Sequence, residues 1–123
     1  GDAADRKDII YLEPQPLFHA AVQKLADGHK VGVLVPMEEQ IAQGYQFWGK
    51  SGVDVEIACA SPYGAFDRVV EAAKAFKGRE LAFLCTDCMG YSVAMKRAIE
   101  DETGLSVLLP RTLAVRILCE FLA

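Results

Sequence analysis

The run Leu81-Ala82-Phe83-Leu84-Cys85-Thr86-Asp87-Cys88-Met89-Gly90-Tyr91 decides how this chain is read. Its apolar start predicts a buried parallel strand over residues 81–87. A helical pattern over residues 92–101 follows at once, stopped by Gly104. Cys88 therefore lies where a parallel strand ends and a helix begins. That edge of an open α/β sheet is where ligands bind, and a helix N-terminus there favours a thiolate.

The same alternation extends outward from this run. Residues 30–35 (KVGVLV) form a continuous apolar strand. Residues 53–59 (VDVEIAC) alternate, with Val53, Val55, Ile57 and Cys59 on one face and Asp54, Glu56 and Ala58 on the other. One wet face predicts an edge strand. Residues 105–109 (LSVLL) form the fourth strand, closed by Pro110. Helical spacing marks residues 14–26, 38–48, 66–76 and 112–122. Strand–helix–strand alternation implies an α/β domain with a parallel sheet. The flavodoxin-like order 2-1-3-4 fits best, and its switch point lies between strands one and three. There Pro36-Met37-Glu38-Glu39 is expected to face Thr86-Asp87-Cys88-Met89-Gly90.

At 123 residues the chain reads as one domain, with residues 1–8 a tail and residues 9–123 the domain. It is 52% hydrophobic with a net charge of -4, which argues against nucleic acid as a partner. The basic pairs Arg6-Lys7 and Lys96-Arg97 read as solvated charges. No apolar stretch approaches the roughly 20 residues of a membrane span. Cys59, Cys85, Cys88 and Cys119 lie mostly in apolar patterns, which suits reduced cytoplasmic thiols.

Cys85 and Cys88 make a C-x-x-C, but strand alternation points them to opposite faces, which disfavours a dithiol. A metal site needs more ligands than His19 and His29 offer, and both read as surface residues. Cys88 reads instead as a single reactive thiol, ahead of Gly90, which would let backbone come close to a ligand. Asp87 works against it, because an adjacent carboxylate disfavours a thiolate unless it points away. Glu38 and Glu39 sit at the positive end of a helix dipole. There is no glycine-rich phosphate loop and no G-x-S-x-G, so nucleotide binding and serine hydrolysis find no support. Gly44 lies inside a helix at some stability cost, which points to close packing.

The closing helix is apolar nearly all round. Leu113, Ala114, Ile117, Leu118 and Phe121 form one stripe, and Val115, Cys119 and Leu122 a second. Such a helix is expected to be buried on more than one side. A small sheet covers only one, so a partner surface is expected, with Val115, Cys119 or Leu122 at a two-fold homodimer contact.

Ile10-Tyr11-Leu12-Glu13-Pro14, Val31-Gly32-Val33-Leu34-Val35-Pro36-Met37-Glu38-Glu39, Asp87-Cys88-Met89-Gly90-Tyr91 and the closing Val107-Leu108-Leu109-Pro110-Arg111-Thr112-Leu113-Ala114-Val115-Arg116 occur in this order. Together they resemble the C-terminal half of AroM family proteins, which in turn resemble the aspartate/glutamate racemase superfamily. The resemblance implies one lobe of a two-lobed, cofactor-independent fold in which a cysteine from each lobe attacks opposite faces of a substrate carbon. It implies Cys88 as the acid/base thiol. It places Thr86, Asp87, Met89 and Gly90 around that thiol, and with Pro36 and Glu38 from the facing switch-point turn these are the expected binding residues for a small-molecule ligand, a carboxylate among the candidates. The chain departs from the racemase pattern in Met89, where many amino-acid racemases carry Thr, and in its acidic Pro-Met-Glu-Glu turn, which would repel a carboxylate. It carries no first-lobe cysteine. The isolated chain is therefore expected to be inactive, with the N-terminal lobe or a second copy as its partner. Two readings stay open: a racemase-like enzyme lobe, and a non-catalytic small-molecule binding or regulatory module on the same fold.

Overall fold

The computed structural model describes residues 14–122. The expected tail over residues 1–8 lies outside the described residues. Helix α1 (Pro14–Ala26) leads into β1 (Val31–Val35), α2 (Glu39–Lys50), β2 (Val55–Cys59) and α3 (Phe66–Ala73), which ends in a 3₁₀ turn over Lys74–Phe76. Then follow β3 (Leu84–Thr86), α4 (Val93–Thr103), β4 (Val107–Leu108) and α5 (Pro110–Leu122). The four strands form one sheet in the order β2-β1-β3-β4, and every pairing is parallel. The α/β class and the strand order are as the sequence patterns predict.

The continuous apolar strand takes the centre because both of its faces are covered. All five residues of β1 are buried. Val31, Val33 and Val35 pack with Phe18 and Val22 of α1, Trp48 of α2 and Cys85 of β3. Leu34 joins Val69 and Ala73 of α3 and Met95 and Ile99 of α4 on the opposite face. The sheet thus separates an α1/α2 core from an α3/α4 core, with Leu113 of α5 added to the former. At Gly32 a side chain would collide with Leu84 and crowd Leu81 and Phe76. Gly44 serves the same purpose on α2, where a Cβ would come within 2.7 Å of Ile57 Cδ1.

The strands are shorter than their apolar runs, since a ladder extends only as far as its neighbours. The β3–β4 pairing spans two residues on each strand, Leu84 with Val107 and Cys85 with Leu108. Helix bounds move for similarly local reasons. Pro110 opens α5 instead of merely closing the fourth strand, as suits a residue without an N–H at a first helical position. Lys96, expected to be solvated, pairs with Glu100 at 3.0 Å and donates to the Val107 carbonyl.

Helix α5 buries one side only. Pro110 and Ala114 are buried, whereas Val115, Leu118, Phe121 and Leu122 are exposed. Among the described residues no helix is long and apolar enough to cross a membrane.

Candidate functional site

Cys88 follows directly on the carboxyl end of β3. The ladder runs one residue past the strand, because the Asp87 N–H donates to the Leu34 carbonyl at 2.8 Å. The chain then turns over Cys88, Met89 and Gly90 before Ser92 caps α4 by accepting the Met95 N–H at 3.1 Å. Within the turn the Gly90 N–H donates to Cys88 Sγ at 3.3 Å. Cys88 is half-buried against the α3/α4 core. Cys85, three residues earlier, is fully buried in the α1/α2 core. The two cysteines therefore lie on opposite faces, as strand alternation requires, and burial, reinforced by Asp87, pushes the Cys85 thiol far above its ordinary range. That thiol is inert.

Asp87 parts from Cys88. Its carboxylate lines a cavity of about 290 Å³ with His19, Gln40, Gln43, Gly44 and Phe47, on the α1/α2 side of the sheet. Its Oδ1 stands 3.5 Å from His19 Nε2. His19 is thus not the plain surface residue its position suggested. Its ring packs against Phe47, with centroids 4.5 Å apart, and edge-on to Trp48 at 5.0 Å. His29 is exposed.

The remaining expected site residues divide. Pro36 and Glu38 line a different cavity, of about 530 Å³, with Met37, Glu39, Cys59, Ala60, Ser61, Gly64 and Arg68. None of the residues 86–90 contributes to its lining. The Pro-Met-Glu-Glu turn therefore faces the loop after β2, not the turn after β3. Thr86 is wholly buried, and among the described residues its hydroxyl has no hydrogen-bond partner. Met89 is exposed. The space over Gly90, expected to admit a ligand, is held by the loop after β2: a Cβ there would meet Tyr63 Oη at 2.6 Å and Pro62 Cγ at 3.0 Å. Glu38 occupies the N-cap of α2 without a side-chain capping bond, and Glu39 opens the helix, as their sequence position predicts.

Tyr91 joins the β2 and β3 ends. It is fully buried and donates to the Ala60 carbonyl at 2.6 Å. Burial raises its phenol well above the ordinary range, and Cys88, Cys59, Asp87 and Tyr63 add to the shift. Cys59, at the end of β2, is raised by burial and then by Glu38 and Glu39. Cys59, Arg68, Tyr63 and His19 are the residues near these sites that the sequence reading did not pick. Cys59 had one signal, its place at the carboxyl end of an alternating strand. Among the described residues no three His, Cys, Asp or Glu side chains converge to hold a metal ion.

No curated protein and no solved structure matches this chain. A family model does: the one described as AroM protein matches residues 4–122, nearly the full length, and the chain therefore belongs to the AroM family.

Proposed function

We propose that this chain is one lobe of a cofactor-independent racemase- or isomerase-like protein, with Cys88 as its acid/base thiol. The observation that carries the reading is the local geometry of Cys88. The thiol is half-buried at the carboxyl end of a central parallel strand, a backbone N–H points at its sulfur, and its neighbour's carboxylate lines a cavity on the other face. An N–H directed at sulfur gives a thiolate a hydrogen-bond donor. In the proposed step the Cys88 thiolate takes a proton from a substrate carbon and the electron pair stays on that carbon. A thiol supplied by a second lobe returns a proton to the opposite face. Cys88 ends as a thiol and the partner as a thiolate, so no redox cofactor is needed. Such chemistry requires two groups placed on opposite faces. The same reading places the protein in the reducing cytoplasm, where all four cysteines stay thiols.

Iodoacetamide labelling resolved by peptide mass spectrometry tests the thiol. Cys88 is expected to label faster than Cys85 and Cys59; equal or slower labelling removes the acid/base role. The isolated chain is expected to leave L-aspartate and L-glutamate unracemised. Racemisation that disappears in Cys88→Ser would show that one lobe suffices.

A second reading, a non-catalytic binding module, is favoured by one observation. The cavity of about 530 Å³ at the carboxyl edge, between the β1 turn and the loop after β2, is not lined by Cys88. A ligand bound there with affinity unchanged in Cys88→Ser, together with a slow-labelling Cys88, would select this reading.

A further inference from the structure

We propose that His19 is a positioning residue for the Cys88 thiol: by engaging Asp87 it keeps that carboxylate on the α1 face of the sheet, away from the sulfur. The inference rests on the reading of Cys88 as the acid/base thiol.

The problem it addresses is set by the sequence, which places a carboxylate one residue before the sulfur. A charge of the same sign nearby disfavours the thiolate. At separations of about 5–8 Å such a pair lowers the thiolate population by about two- to fourfold in the dielectric of bulk water and by about thirtyfold or more in that of a protein surface. The structure separates the two groups across the sheet. Cys88 packs against the α3/α4 core, while the Asp87 carboxylate faces α1 and α2. His19 is the group that meets it there, with Nε2 3.5 Å from Oδ1 and both side chains about three-quarters buried. In the tautomer protonated on Nε2 the imidazole donates to the carboxylate. The ring is itself held, between Phe47 and the edge of Trp48.

The surroundings leave this role to His19. The cavity's other lining side chains, Gln40, Gln43 and Phe47, are uncharged, and Gln40 Oε1 accepts the Met37 N–H at 3.1 Å. On the sulfur's side Tyr91 lies near Cys88, Cys59, Asp87 and Tyr63, and Cys59 lies near Glu38 and Glu39. Asp87 also lies near enough to Tyr91 to raise its phenol, but among the described residues the side chain hydrogen-bonded to the Asp87 carboxylate is His19. The 3.5 Å separation is long for a hydrogen bond, so the pair rests on the fixed ring as much as on the bond.

The test is the pH profile of Cys88 labelling in four proteins: wild type, His19→Phe, Asp87→Asn and the double variant. Phenylalanine keeps an aromatic ring against Phe47 and Trp48 and removes the donor. His19→Phe is expected to slow Cys88 labelling near neutral pH by about three- to tenfold and to move the profile upward. Asp87→Asn should label at least as fast as wild type, and the double variant should label like Asp87→Asn. Unchanged labelling in His19→Phe overturns the proposal, and so does equal slowing by His19→Phe in the Asp87→Asn background. If His19→Phe does not fold, the His19 imidazole resonances decide, because Asp87→Asn must shift them at fixed pH; no shift overturns the pairing. Wild-type Cys88 that labels no faster than Cys85 fails the acid/base reading itself and takes this inference with it. Fast labelling that ignores His19 fails the inference alone.

Discussion

At the scale of single residues, Tyr91 couples stability to pH. Its hydroxyl is buried and bonded to the Ala60 carbonyl, so Tyr91→Phe leaves that carbonyl without its partner and is expected to cost about 1–2 kcal/mol in urea unfolding. The phenol's folded-state value lies above its ordinary 10.0, chiefly through burial. Above that pH the unfolded chain releases the proton while the folded chain keeps it. The contribution is therefore complete below pH 10 and is lost as pH rises through the folded value. Wild type should lose stability on the alkaline side more steeply than Tyr91→Phe; parallel alkaline limbs would show that the phenol is not the group responsible. Legibility in the sequence was uneven at this scale. Cys88 could be placed because strand and helix periods meet around it. His19 could not, since it lies 68 positions from Asp87 and nothing local marks a contact made by the folding of α1 over the sheet. Gly90 misled for a related reason: a glycine reports close approach but not by what, and here Tyr63 fills the space.

At the scale of elements, β4 is a two-residue edge strand, and α4 protects it. Glu100 accepts the Val107 N–H at 2.9 Å and Lys96 donates to the Val107 carbonyl, so two side chains one helical turn apart satisfy the outer backbone of the strand. Unpaired edge groups invite pairing with other chains. Burial pushes the Glu100 carboxyl up, but the Val107 N–H, Lys96 and Arg97 outweigh it and hold the group below its ordinary 4.5. A depressed carboxyl contributes stability above its unfolded value, and that contribution fades as pH falls through the folded one. Glu100→Gln keeps an acceptor for Val107 and removes the charge. It is expected to cost less than about 1 kcal/mol at neutral pH and to flatten the acid limb of the stability profile. An acid limb as steep as wild type would remove Glu100 from the account. The elements themselves were legible because each is amphipathic or apolar in its own period: the run over 30–35 could only be central, and the alternation over 53–59 only an edge. Their ends were not, because strand length depends on a partner's register, as the shortening of 81–87 to Leu84–Thr86 shows.

At the scale of the whole molecule, the closing helix is the feature that one chain leaves unresolved. Helix α1 packs along α5, yet it covers only the side carrying Ala114 and Leu113. Val115 is 58% exposed, Phe121 60% and Leu122 84%, so among the described residues this face lies open to water. Water contact on such a face is unfavourable at about 25 cal/mol per Å² of apolar surface. A stable pair of proteins needs roughly 800 Å² from each partner. In the two-lobed reading the other lobe is the natural cover; for the chain by itself, a second copy related by a two-fold axis is. Closed two-fold pairing matches the face to itself and leaves no sticky end. Light scattering at micromolar concentration should therefore give about twice 13.4 kDa. Val115→Asp combined with Leu122→Lys, both at exposed positions and so harmless to the core, should return the mass to that of one chain with the thermal transition preserved. A monomeric wild type would show that the apolar face is left to water or to another partner, and a dimer that survives both charges would place the contact elsewhere.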